Sequence, residues 1–252
     1  MKMKWRVGAM ALSLFGGVQA AIAGSAPARN VVLVHGAFAD EGSWDKVARR
    51  LRAKGYRVTQ VASPLTSLAD DVAPTRKALA AQKGPTVLVG HSWGGVVIGE
   101  AGNAPNVASL VYVAAFAPDR GESVQDLGKG APPTVGQQAI RRDVKGFLTL
   151  DPASFPGVFM ADVPAEQAAR YAGHQRPINA AAFASKADVA AWHDKPTYYA
   201  VSADDRMLPA QAEGFFAQRM KARTITIASS HASPLSHPAE IAALIERAAR
   251  LK

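Results

Sequence analysis

The sequence contains no cysteine, which removes disulfides, thiolate metal sites and a cysteine nucleophile together. It has no internal repeat, and beyond its N-terminal segment no apolar run long enough to span a bilayer. It has no concentrated basic patch either. The formal charge is +9, but Lys2, Lys4 and Arg6 supply three of those charges, so the rest of the chain carries +6. The remaining Lys and Arg are scattered, without aromatic interleaving and in no run longer than Arg49-Arg50 or Arg141-Arg142. That pattern describes a solvated basic surface and argues against nucleic-acid binding. With 48% hydrophobic and 19% charged residues, the composition argues against global disorder. A chain of 252 residues suffices for one α/β domain with an inserted subdomain.

The N-terminus has the three parts of a secretory leader: a basic start, a mostly apolar or small stretch from Val7 to Val18, and Ala21-Ile22-Ala23 as an A-x-A cleavage site before Gly24. Cleavage after Ala20 is an alternative. The apolar stretch is short and interrupted by Gly16, Gly17 and Gln19, which favours a cleaved leader over a membrane anchor. The expectation is a signal peptide over residues 1–23, export to the periplasm or medium, and no stable membrane insertion of the mature chain over residues 24–252.

Strand-like and helix-like segments then alternate. Strands are expected at Asn30–Val34, Tyr56–Val61, Thr86–Val89, Val107–Val113, Thr197–Val201 and Thr224–Ile227. Helices are expected over Trp44–Lys54, from a Ser67 cap to about Gln82 with Asp70 and Asp71 near its positive end, and over Pro238–Leu251. This alternation predicts a doubly wound, mainly parallel sheet with helices on both faces and a site at the carboxyl ends of the strands. The interval from about Asp119 to Lys195 breaks the rhythm. It is rich in Pro, Gly and Ala and shows no clear strand, only helical patches at Thr134–Phe147, Pro164–Gly173 and Ile178–Ala191. A structureless loop of that length is improbable, so the interval reads as a helical cap inserted before the last two strands and folded over the site.

The most informative stretch is Thr86-Val87-Leu88-Val89-Gly90-His91-Ser92-Trp93-Gly94-Gly95. An apolar strand, Gly-x-Ser-x-Gly and a helix form the pattern of a nucleophile elbow. The serine there sits on a strained turn, and its neighbours two residues away must be small to avoid the opposing backbone. Ser92 is therefore the candidate nucleophile. A base, an acid and oxyanion donors must accompany it, in the chain order Ser, Asp or Glu, His.

Six histidines offer themselves as base. His91 lies inside the elbow and should point away from the Ser92 hydroxyl. His35 precedes a glycine at a strand end and reads as structural. His174 and His193 fall in the cap region. His231 follows the last strand and Ser229-Ser230 on the catalytic edge, whereas His237 abuts Pro238 at a helix start, so His231 is the candidate base. Asp205, in the turn after Thr197–Val201, is the candidate acid, with Asp204 and Asp119 as alternatives. The backbone N–H groups of Trp93 and Ala37 are the candidate oxyanion donors, Gly36 permitting the turn that aims the latter. Phe38, Trp93, Phe116, Phe159 and Leu208 are candidate pocket walls.

With these residues in place the chain resembles an α/β hydrolase. It is similar to the small single-domain esterases that group with plant methylesterases and hydroxynitrile lyases. The resemblance runs over essentially the whole mature chain. It rests on His35-Gly36-Ala37-Phe38, on Gly90 to Gly95, on Asp205-Arg206-Met207-Leu208-Pro209, and on Ser230-His231 with Leu235-Ser236-His237-Pro238. It implies a triad of Ser92, Asp205 and His231, a small-molecule ester as substrate, and neither metal nor cofactor. The lyases that it resembles carry a threonine after the first strand's histidine and a lysine after the catalytic histidine. Here those positions are Gly36 and Ala232, which favours ester hydrolysis. The competing readings are other triad chemistry (a lyase, a cofactor-free peroxidase or a C–C hydrolase) and a ligand-binding protein with little turnover. Dehalogenation is disfavoured, because it uses a carboxylate where this elbow has a serine.

Overall fold

The structure is a computed structural model that describes residues 27–250. The leader and its cleavage site lie outside the described residues. Six parallel strands form the central sheet: β1 (Asn30–Val34), β2 (Arg57–Val61), β3 (Thr86–His91), β4 (Val107–Val113) and, after the inserted segment, β8 (Thr197–Ser202) and β9 (Arg223–Ile227). Their spatial order is β2-β1-β3-β4-β8-β9. The order reverses direction at β1 and β3, so the chain winds outward from the middle both ways. Loops at the carboxyl ends of β1 and β3 therefore face each other across a crevice.

Side-chain alternation divides the interior into two cores. Val31, Leu33, Val87, Val89, Val111, Val113, Tyr198 and Ala200 point to one face. There α1 (Asp45–Ala53) and the last helix, α11 (Pro238–Ala249), cover them. Val32, Val34, Leu88, Leu110, Tyr112 and Tyr199 point to the other face. Helices α2 (Leu68–Ala80), α3 (Gly94–Ala101) and α9 (Ala210–Arg219) lie on that side. The expected cap at Ser67 is present: its hydroxyl accepts from the Asp70 N–H at 3.1 Å. Asp70 and Asp71 lie in the first turn of α2, as expected, and Asp71 has a further role. It is also fully buried, and its carboxylate accepts from Leu65 N–H at 2.7 Å and from the Trp93 indole N–H at 2.7 Å.

The inserted segment between β4 and β8 holds helices α4 (Val124–Leu127), α5 (Val135–Gln138), α6 (Phe155–Phe159), α7 (Ala165–Gly173) and α8 (Ala180–Ala184). It also holds a three-stranded antiparallel sheet of β5 (Ile140–Arg142), β6 (Phe147–Leu150) and β7 (Ile178–Asn179), which the sequence did not lead us to expect. The helical patch expected over Thr134–Phe147 is one helical turn followed by β5 and the approach to β6. Strands of three, four and two residues are too short to display alternation. Their identity comes from pairing, such as Ile140 opposite Leu150 and Leu148 opposite Ile178.

The insert is fastened to the loops at the carboxyl ends of β8 and β9. Gly136 N–H donates to Arg206 C=O at 3.0 Å, and the Thr134 hydroxyl to Met207 C=O at 3.2 Å. The Ser230 hydroxyl bonds Asp162. The last two elements of the chain run from α10 (Ser233–Ser236) straight into α11. Among the described residues, no helix is long and apolar enough to cross a membrane.

Candidate active site

Ser92 stands directly after β3 with φ of 53°, the left-handed strain expected of an elbow. The neighbouring glycines are there for close approach. A Cβ on Gly90 would lie 2.4 Å from Gly94 O, one on Gly94 would lie 2.6 Å from Val34 O, and one on Gly95 would lie 2.2 Å from Phe116 O. No side chain fits these gaps.

Gly36 has a similar role. A Cβ there would lie 2.7 Å from Ser92 Cβ, so glycine lets the β1 loop press against Ser92. The positive φ in that loop belongs to Phe38, at 63°, and not to Gly36; the turn inferred from the glycine is set one residue beyond Ala37. Neither Ala37 N–H nor Trp93 N–H donates to another group among the described residues. Both are free to meet an oxygen beside Ser92.

His231 and Asp205 meet across the ends of β8 and β9. His231 Nδ1 lies 2.5 Å from Asp205 Oδ2, with side-chain exposures of 2% and 0%. The other carboxylate oxygen, Oδ1, accepts from Met207 N–H at 2.7 Å and Leu208 N–H at 2.9 Å. The carboxylate is thus held from both sides, and Nδ1 of the imidazole is the nitrogen engaged. That leaves Nε2 for the cavity. Ser92 and His231 line the same cavity, and the Ser92 hydroxyl makes no direct hydrogen bond to the ring. Such bonds often tighten only when substrate is bound.

The other candidates fall elsewhere. Asp204 is exposed, and Asp119 pairs with His193 at 2.9 Å on the surface. His237 sits beside the Ser236 hydroxyl at 3.0 Å and Asp162 at 3.4 Å. His174 is exposed and bonds the Arg170 carbonyl. His35 is structural: it is fully buried, its Nδ1 donates to Gly36 C=O at 2.8 Å and its Nε2 accepts from Ser63 N–H at 3.0 Å. Burial pushes its pKa down, in keeping with a neutral ring.

His91 proves more than a bystander. Its Nε2–H donates to the His231 carbonyl at 2.9 Å, and its ring lies 4.8 Å, centroid to centroid, from that of His231. Burial first, and the neighbouring His231 second, hold its pKa well below the usual imidazole value. His91 therefore stays neutral and pins the backbone that carries His231 without repelling a cationic ring. Replacing His91 by leucine is expected to lower stability by about 1–3 kcal/mol, the cost of leaving a buried carbonyl unpaired. Urea unfolding checks this, and a midpoint equal to the parent's would contradict it.

The cavity has a volume of about 120 Å³. That is below the ~300–1,000 Å³ of pockets that hold drug-sized ligands. Phe38, Phe116, Phe159 and Leu208 all line it, as does Ala37. Trp93 does not contribute a wall, because its indole turns inward to Asp71. The insert adds Val124, Gln137, Ile140 and Phe183, and Met207 follows Asp205 from the base. Phe159 stands edge-on to His231 with centroids 4.8 Å apart.

The sequence model described as the alpha/beta hydrolase family matches residues 31–244, a span that includes β1 from its second residue, the elbow, Asp205 and His231. The chain belongs to the alpha/beta hydrolase family. Among relatives, this hydrolase is 33% identical to a carbendazim hydrolyzing esterase from Nocardioides sp. over 126 residues, 44% of the chain and 52% of that protein. The chain thus matches about half the length of that relative. It is 25% identical to a probable hydrolase from Phoma sp. over 210 residues, 77% of the chain and 84% of that protein. Among solved structures, it is similar to a pyrethroid hydrolase from Sphingobium faniae, with a TM-score of 0.75 at 23% identity, covering 88% and 97% of the two chains. Polyneuridine aldehyde esterase gives a TM-score of 0.75 at 19% identity, covering 86% and 98%. An extracellular alpha/beta-hydrolase from a Paenibacillus species gives 0.73 at 23% identity, covering 87% and 98%. At such identities the structural likeness establishes the fold.

Proposed function

We propose that this hydrolase is a serine carboxylesterase that cleaves small, largely apolar esters through an acyl-enzyme on Ser92. The observation that carries the reading is the buried His231–Asp205 pair, 2.5 Å apart, whose ring shares one cavity with Ser92. His231 Nε2 takes the Ser92 proton as the hydroxyl attacks the ester carbonyl. Asp205 fixes the ring tautomer through Nδ1 and stabilises the imidazolium that forms. The free N–H groups of Ala37 and Trp93 receive the developing oxyanion, and each such donor typically contributes about 10²–10³ in kcat. His231 then protonates the leaving alcohol and activates water for deacylation.

Hydrolysis is supported by the carbendazim hydrolyzing esterase among the relatives and by the pyrethroid hydrolase among structures of the same fold. The position after His231 is Ala232, only 2% exposed, which offers no cation to assist a cyanide leaving group. The size of the cavity favours short acyl groups. Among p-nitrophenyl esters, kcat/KM is expected to be greatest from acetate to butyrate and to fall by about tenfold or more at decanoate, since the extra methylenes find no apolar space to fill. A panel that also includes aromatic methyl esters tests this, and a preference that rises with chain length would contradict it.

A further inference from the structure

Glu213 lies in the first turn of α9 and is fully buried. One carboxyl oxygen, Oε2, accepts from Ser202 N–H at 3.1 Å. The other, Oε1, is buried and meets no donor among the described residues. Among those residues no Lys, Arg or His forms an ion pair with it either. What it does face is Asp205, side chain to side chain. The remaining titratable neighbour is Tyr199 of β8, a neutral phenol whose hydroxyl donates to Ala115 C=O at 2.5 Å. Two buried carboxylates in contact, with no cation between them, repel each other in a medium of low polarity. A proton on one of them turns the repulsion into a hydrogen bond and gives the orphaned Oε1 a partner.

We propose that Glu213 is a positioning residue for Asp205: a neutral carboxylic acid whose O–H donates to the Asp205 carboxylate and holds it for His231. This rests on the esterase reading of the site. Asp205 already accepts from two backbone N–H donors and the His231 ring. Glu213 takes the proton, since burial and the adjacent Asp205 both push its pKa well above the usual carboxyl value.

The test compares the parent with E213Q and E213L. Glutamine can keep both bonds: its amide N–H donates to Asp205 and its oxygen accepts from Ser202. Leucine can make neither. E213Q should retain kcat/KM for p-nitrophenyl butyrate within about threefold, whereas folded E213L should lose kcat by about tenfold or more with little change in KM. E213Q crippled as badly as E213L, or E213L as active as the parent, overturns the proposal.

A second readout needs no turnover. A carboxyl whose pKa is raised by folding contributes stability below its unfolded pKa, near 4.3, that is lost as pH rises toward the folded value. Glutamine has no such dependence. The Tm of E213Q minus that of the parent should therefore grow between pH 5 and pH 8, by about 5 °C or more. A difference that is flat with pH overturns the neutral acid. This comparison stands even if E213L does not fold. It is also separable from the esterase reading, which fails instead if Ser92→Ala keeps full turnover.

Discussion

Ser92→Ala is expected to lower kcat/KM for p-nitrophenyl butyrate by about 10⁴–10⁶, leaving only what the oxyanion donors and the pocket supply. The fold should survive. The strain at residue 92, with its φ of 53°, is imposed by the packing of Gly90, Gly94 and Gly95 around it and does not depend on the hydroxyl. The variant should also bind substrate as well as the parent, because Phe38, Phe116, Phe159 and Leu208 remain around the cavity. Stopped-flow kinetics with a limit on background hydrolysis measures the loss. Parent-like turnover would mean that the attacking atom is not on residue 92.

Asp205→Asn is expected to cost about 10⁴ in kcat with little effect on the Tm. The reason is the tautomer. The amide oxygen of asparagine can still accept from Met207 and Leu208 N–H, at the present 2.7 and 2.9 Å. Its NH₂ then faces His231 Nδ1, which must become an acceptor. The imidazole proton moves to Nε2, and that nitrogen can no longer take the proton from Ser92. Raising the pH does not cure a wrong tautomer, so the loss should persist across the alkaline range. A variant that recovered above pH 8 would contradict the account, because it would assign Asp205 a purely electrostatic role.

Why was the carboxyl-end edge of the sheet readable in the sequence while the roof over it was not? The elbow announces itself because steric exclusion acts on residues next to one another: Gly90, Gly94 and Gly95 cannot be larger, whatever the rest of the chain does. The sheet was legible because runs such as Val31 to Val34 and Val107 to Val113 carry their burial in their composition. The meeting of Asp205 and His231 followed from chain order and from both lying at carboxyl ends of strands.

The insert has no such local constraint. Ile140-Arg141-Arg142 becomes a strand only because Leu148, Thr149 and Leu150 lie opposite it, and nothing in three residues foretells the pairing. Val124, Ile140 and Phe183 reach the cavity through that packing. Buried carboxyl groups were hidden for a related reason. Asp71 looks like an ordinary acidic residue in a helix's first turn, yet it is buried against the Trp93 indole. Glu213 sits among Gln211, Ala212 and Gly214 like any solvent-facing charge, and only the tertiary fold brings it under Asp205. A helix's sequence reports its own periodicity, not which acid its neighbour will confront.

The most direct measurement is peptide mass spectrometry of the protein after treatment with a fluorophosphonate, run beside Ser92→Ala and His231→Ala. The account predicts one adduct, on Ser92, absent in the alanine variant at that position and formed far more slowly without the imidazole. Full ester turnover by a protein that takes the label on another residue, or takes none, would contradict it.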